Sequence, residues 1–335
     1  MPQTPIIQTK NLTKYYGKHL GIKNVNLEIY PQEIFGFLGP NGAGKTTTIR
    51  ILLDLIRPTS GTATIFGLDT QKEIERIHEK IAYIPGELEF NKNWTGRRTI
   101  KHMLNLYNHA AKDSLIENFA QTLKVDLNKK VKEFSKGNKQ KIGVILALAP
   151  DVELLVLDEP TSGLDPLIKN EFYKLLSEKQ IQTKCTIFLS SHILSEVEKV
   201  ANRVAIINQG SIIQVATLNQ LQQLALKNIE IEFPTPDQAK KNLNKIPEKT
   251  ARNLTQQTNT LNLLCSREDL HSVLSWLKDT NFKDLNVRNP SLEDIFLEYY
   301  RVQPYEKNSN NKERGEKQNV EITETVRTHK TRYAR

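Results

Sequence analysis

Gly39-Pro40-Asn41-Gly42-Ala43-Gly44-Lys45-Thr46 has the form G-x-x-x-x-G-K-[ST], a spacing suited to gripping phosphate. Its glycines let backbone N–H groups turn inward around an anion. A helix opening at Lys45 adds the positive end of its dipole. The Lys45 ammonium can reach the β- and γ-phosphates of a nucleoside triphosphate, and the Thr46 hydroxyl can bind Mg²⁺. Thr47 extends the candidate nucleotide-binding set. Downstream, Leu154-Leu155-Val156-Leu157 is an apolar run that ends in Asp158 and Glu159. A carboxylate at the C-terminal end of a parallel strand faces the crevice where α/β folds take ligands. There Asp158 can hold Mg²⁺, directly or through water, and Glu159 can polarise an attacking water. These two motifs together predict a Mg-nucleotide hydrolase without saying which one.

The elements that must position these residues follow from pattern. Up to about residue 226, short β-rich runs alternate with longer helical ones. Strands are predicted at 6–9, 25–29, 34–38, 62–66, 81–84, 154–157, 186–189, 204–207 and 212–215. Several are unbroken apolar runs, as strands buried on both faces tend to be. Helices are predicted at 45–55, 99–110, 113–123, 139–148, 167–179 and 195–201. The alternation predicts an α/β architecture with a largely parallel central sheet. After about residue 227 the order becomes β-α-β-β-α-β, with strands at 228–233, 250–254, 261–265 and 283–288 and helices at 236–243 and 268–279. That order predicts a small α+β ferredoxin-like unit over 227–300. Ser291 caps a further helix predicted to run to about residue 300. Residues 301–335 are polar and poor in large apolar side chains, so a flexible tail is expected.

Composition sets limits on function. The chain has 335 residues, 38% of them hydrophobic and 25% charged, which excludes a disordered or fibrous chain. Two cysteines, Cys185 and Cys265, are too few for a disulfide framework or a Cys-based metal site and fit a reducing cytosolic setting. No run reaches the roughly 18–20 apolar residues of a membrane span. The N-terminus lacks the basic and apolar regions of a secretory signal. The formal charge is +9, and residues 301–335 hold nine Lys/Arg against five Asp/Glu, so +4 of it lies in the expected tail. Part of the remainder clusters over 124–141, next to a candidate phosphate grip. The basic excess therefore fits phosphate handling and a tail able to meet an anionic membrane leaflet, and no nucleic-acid partner is expected.

The segment Phe134-Ser135-Lys136-Gly137-Asn138-Lys139-Gln140-Lys141, just before a predicted helix, is where the chain resembles the ATP-binding subunit of ABC transporters. Ser135 and Gly137 match that family's signature, while Lys136 and Asn138 depart from its common form. Ser162-Gly163-Leu164-Asp165 resembles the family's D-loop, and His192 in Ser190-Ser191-His192 its switch histidine. Tyr16, before Gly17, resembles the aromatic that stacks on adenine, with Tyr15 as its neighbour and competitor. All fall in family order across residues 1–226. The resemblance implies a P-loop ABC cassette: a central sheet with flanking helices, an antiparallel β part and a helical subdomain over about 88–150. It implies ATP and Mg²⁺ as cofactors, with Lys45, Glu159 and His192 acting on the γ-phosphate and its water. Gly39–Thr47, Tyr16, Ser135, Gly137 and Asp165 would bind nucleotide, and Thr46 and Asp158 would bind the metal. The family's Gln after the strand at 81–84 is replaced by Pro85-Gly86-Glu87, which leaves Glu87 as the substitute metal-side residue.

A narrower resemblance lies in that segment, in Asn93-Trp94-Thr95-Gly96-Arg97 and in Pro290-Ser291-Leu292-Glu293-Asp294-Ile295-Phe296. These resemble subunits of drug- and antibiotic-resistance exporters. The family signature at Ser135 and Gly137 implies a head-to-tail dimer with a second copy, and the narrower resemblance a separate ABC-2 type permease. It also implies a peripheral position on the cytoplasmic face of the inner membrane. The alternative is a soluble ABC-type ATPase acting on nucleic acid or another macromolecule. Against it stand the single cassette and the absence of a long coiled coil between the phosphate motif and the signature.

Overall fold

A computed structural model describes residues 3–220, 227–243, 246, 252–266, 269–278 and 280–288. Its first element, β1 (Ile7–Tyr16), turns through Gly17 (φ 60) into β2 (His19–Ile29) as a long antiparallel hairpin. Along β2 the residues Ile22, Val25, Leu27 and Ile29 are buried, while Lys23, Asn26 and Glu28 are exposed. That alternation is what a sheet with one wet face requires. β4 (Ser60–Ile65) and β5 (Leu68–Asp69) complete a four-stranded antiparallel sheet in the order β2-β1-β4-β5.

The central sheet is six-stranded: β10 (Ser211–Thr217), β9 (Arg203–Asn208), β3 (Ile34–Leu38), β8 (Thr186–Ser191), β7 (Leu154–Asp158) and β6 (Ile81–Ile84). All its pairings are parallel except β9 with β10. β3, β7 and β8 are buried at every residue, which accounts for their unbroken apolar runs. Parallel pairing brings the C-terminal ends of these three strands to one edge, where Leu38 pairs with Ser191 and Asp158 with Ser190. Glycine-rich loop, carboxylates and histidine, far apart in sequence, thereby meet.

Around the sheet lie α1 (Lys45–Leu52), α2 (Ile74–His78), α3 (Gly96–Leu106), α4 (Asp113–Thr122), α5 (Lys136–Leu148), α6 (Pro166–Thr183) and α7 (Leu194–Val197). Caps explain where several differ from expectation. α5 starts three residues earlier than predicted, because Ser135 accepts a hydrogen bond from the Asn138 N–H at 3.2 Å. α3 likewise starts at Gly96, with Thr95 accepting from the Arg98 N–H. α6 starts at Pro166 behind an Asp165 cap and runs past the expected end to Thr183. α1 ends at Leu52 and α7 spans only four residues, both shorter than expected.

The C-terminal elements are β11 (Lys227–Glu232), α8 (Pro236–Leu243), β12 (Arg252–Gln257), β13 (Thr260–Cys265), α9 (Leu270–Lys278) and β14 (Asp284–Arg288). The order β12-β13-β11-β14, antiparallel throughout, is that of a ferredoxin-like sheet. Ile229, Ile231, Leu261 and Leu263 of the sheet pack with Ala239, Val273 and Leu277 of the helices in a core of their own. The helix predicted after residue 290 and the tail over 301–335 lie outside the described residues. Among the described residues no helix is long and apolar enough to cross a membrane.

Candidate functional site

The loop after β3 wraps closely on its neighbours. A Cβ on Gly39 would fall 2.4 Å from the Ile207 carbonyl oxygen. Gly44 combines φ +110 with 2.6 Å to Ile22 Cγ2, so neither position accepts a side chain. Lys45 then enters α1 with its side chain 5% exposed. Its Nζ donates to the carbonyl oxygens of Gly39 at 2.7 Å and Pro40 at 3.1 Å, and lies 3.2 Å from Glu159 Oε1. The ammonium thus has two carbonyl acceptors in the loop and a facing carboxylate as its counter-charge.

Asp158 is fully buried at the end of β7. Ser190, opposite it on β8, donates its hydroxyl to Asp158 Oδ1 at 2.5 Å and accepts the Glu159 N–H at 3.1 Å. Burial pushes the Asp158 carboxyl up; the hydrogen bond from Ser190 and the nearness of the Thr46 hydroxyl pull it partly back. Asp158 Oδ2 is buried without a hydrogen-bond partner, and a Cβ on Gly86 would stand 3.6 Å from it. A buried carboxylate oxygen left bare is costly, and a cation would relieve it. Among the described residues no three His, Cys, Asp or Glu side chains group to hold a metal unaided. A divalent cation here would therefore take Asp158, the Thr46 hydroxyl and phosphate oxygens, the donor set Mg²⁺ favours.

Glu159 sits at φ 50, a left-handed conformation unusual for a non-glycine residue. Besides facing Lys45, it accepts at Oε2 from His192 Nδ1 at 2.6 Å. His192, exposed beyond β8, thus bears on the carboxylate, while its ring stays open to the crevice. Tyr16 and Tyr15, open alternatives in the sequence, are distinguished by the hairpin. The Tyr16 hydroxyl lies 3.4 Å from Thr47 Oγ1, and its ring lies beside Gly21. Tyr15 instead gives its backbone N–H to Thr59 Oγ1.

Other predicted residues lie apart from this cluster. Ser135, Gly137 and Asp165 make no hydrogen bond or ion pair to Lys45, Thr46 or Asp158 among the described residues. Gly137 packs on the turn after Glu159: a Cβ there would meet the Gly163 carbonyl oxygen at 2.6 Å. Asp165 spends its side chain on capping α6. Glu87 is exposed and lines an apolar cavity of about 330 Å³ walled by Leu53, Tyr83, Phe90, Met103 and Leu146. It is Gly86, not the Glu87 side chain, that adjoins Asp158. Sequence reasoning assigned no role to Ser190, although a hydroxyl ending the neighbouring parallel strand was the available signal. It also missed Gln140 and Glu196, which hold the same turn.

The ABC transporter family profile matches residues 22–162. The bacitracin transport ATP-binding protein BcrA of Bacillus licheniformis is 39% identical over 240 residues, covering 70% of this chain and 77% of the relative. The uncharacterized ABC transporter ATP-binding protein YcbN of Bacillus subtilis (strain 168) is 32% identical over 300 residues, 88% of this chain and 96% of the relative. A solved structure described as an ATP binding subunit of an ABC transporter superposes with TM-score 0.59 at 25% identity, covering 65% of this chain and 92% of its own.

Proposed function

The chain belongs to the ABC transporter ATP-binding proteins, and from that premise we propose how its residues divide the work of ATP hydrolysis. The observation that carries the reading is the convergence of Lys45, Asp158, Glu159 and His192 on one sheet edge, with Asp158 Oδ2 bare. ATP enters along the glycine-rich loop, whose N–H groups and helix terminus take the phosphates. Lys45 exchanges Glu159 for β- and γ-phosphate oxygens. Glu159, so released, takes a proton from the attacking water as its oxygen bonds to the γ-phosphorus and the bond to ADP breaks. His192 holds Glu159 on one side and reaches the γ-phosphate on the other. Thr46 and Asp158 would hold a Mg²⁺ ion, which when bound would supply charge neutralisation to the phosphoryl group.

Tyr16 stacks on adenine in this reading. Replacing Tyr16 with Ala should weaken ATP binding by about 1–3 kcal/mol, the range for base–aromatic stacking. Tyr15→Ala should leave it unchanged, as titration with a fluorescent ATP analogue would reveal.

Ser135 and Gly137 make no hydrogen bond to this chain's own phosphate loop among the described residues, which supports a second copy, head to tail, bringing them onto the γ-phosphate. Two ATP molecules then hold the dimer closed, and hydrolysis reopens it. The cycle drives a separate permease of the ABC-2 type, with the cavity beside Glu87 as an apolar place for it to dock. Export of a drug, antibiotic or lipid-like compound is the proposed work of that permease, a reading supported by likeness to a bacitracin transport ATP-binding protein. Residues 1–226 form the cassette, with a helical subdomain over about 88–150. Residues 227–300 form an accessory domain for dimer contact or regulation, and 301–335 a tail. The assembly sits on the cytoplasmic face of the inner membrane through its permease. Purification in detergent is the test. A multi-span membrane protein that copurifies and raises ATP turnover supports the reading, whereas an ATPase that copurifies with nucleic acid and no membrane protein overturns the transport part.

A further inference from the structure

The turn that follows Glu159 is held from two sides. From α5, the buried Gln140 donates its Nε2–H to the Pro160 carbonyl at 2.9 Å. From the other side comes Glu196 on α7, which begins two residues after His192. Thr161 Oγ1 donates to Glu196 Oε2 at 2.7 Å, and the Tyr173 hydroxyl donates to the same oxygen at 3.0 Å. Lys169 Nζ donates to Oε1 at 2.7 Å. Glu196 is 7% exposed. Burial alone would raise its carboxyl, but hydrogen bonds from Lys169, Thr161 and Tyr173 outweigh it and hold the group below the usual range. α7 is itself seated tightly on β3: a Cβ at Gly36 would fall 2.2 Å from Val197 Cγ1. Glu196 touches none of the groups assigned to ATP chemistry, yet it joins the segment carrying His192 to the turn carrying Glu159.

We propose that Glu196 is a positioning residue for ATP hydrolysis, keeping His192 aligned on Glu159 when Lys45 turns to the phosphates. This rests on the ATPase reading above. The geometry supports it because both ends of the 2.6 Å His192–Glu159 contact lie within four residues of the Glu196 network. If the two ends separate, the contact opens and the carboxylate loses its orientation toward water. Misplacement of about 1 Å at a reacting group costs on the order of 10²-fold in rate.

The test is a double-mutant cycle on the full chain, read as kcat and KM for ATP. Glu196→Ala is expected to lower kcat by about 10- to 100-fold while KM stays within about twofold. In a His192→Ala background the same change should cost almost nothing further, since the contact it protects is gone. Thr161→Val, which removes one donor and leaves the carboxylate paired with Lys169 and Tyr173, should repeat the pattern more mildly. It serves if Glu196→Ala does not fold. Equal losses in both backgrounds, or a raised KM with unchanged kcat, would overturn the proposal and leave Glu196 a structural ion pair. A wild-type chain without ATP turnover would overturn the ATPase reading itself, and this inference with it.

Discussion

Glu159→Gln is expected to lower ATP turnover by about 10²–10⁴-fold, the span attributed to a positioned general base. Glutamine keeps the volume and can still hydrogen-bond His192, but it cannot take the proton of the attacking water. Binding should survive or tighten. In the resting chain Glu159 Oε1 lies 3.2 Å from Lys45 Nζ, and ATP must compete with that ion pair for the ammonium. The amide removes the competing charge. Single-turnover hydrolysis, with nucleotide binding measured alongside, separates the two effects. Wild-type turnover in this variant would remove Glu159 from its assigned role.

The second large effect is expected at Lys45. Lys45→Ala removes the ammonium that faces this carboxylate, and should lower kcat/KM for ATP by about 10²–10³-fold or more. The free chain should suffer too. The Gly39 and Pro40 carbonyls lose their ammonium donor, and Glu159 Oε1, buried and without a hydrogen-bond partner, loses its counter-charge. A buried group left unpaired costs about 1–3 kcal/mol, so the melting temperature without nucleotide should fall measurably. Lys45→Arg should not restore activity. Its planar guanidinium cannot reproduce two hydrogen bonds and an ion pair converging on one nitrogen in a slot only 5% exposed. ATP affinity near wild type in Lys45→Ala would contradict the assignment of the loop.

What could be read in advance was what is local. The G-x-x-x-x-G-K-[ST] loop is contiguous, so its chemistry is written in adjacent residues. The runs at β3, β7 and β8 are apolar because both faces are covered, and that too is visible in one dimension. The β-α-β-β-α-β order of the C-terminal unit was legible because its turns separate short alternating strands. What escaped was decided by pairing between distant segments. Ser190 meets Asp158 only because β8 lies beside β7 in a particular register, 32 residues apart in sequence. Glu196 reaches Thr161 across 35 residues. The start of α5 was hidden by its polar first turn, until Ser135 proved to cap it. Tyr16 and Tyr15 look alike in sequence, and only the hairpin, pairing Tyr16 with His19 and Tyr15 with Leu20, separates their surroundings.

In the proposed dimer one chain supplies the phosphate loop and a second copy supplies the signature. This arrangement is tested most directly by light scattering on the Glu159→Gln chain with Mg-ATP. Such a dimer gives a particle of twice the 38.4 kDa chain mass with ATP and a single chain without it. It also returns to the single mass when Ser135→Arg is added, although ATP still binds. A chain that binds ATP and remains at its single mass would contradict it, as would a dimer indifferent to both ATP and Ser135.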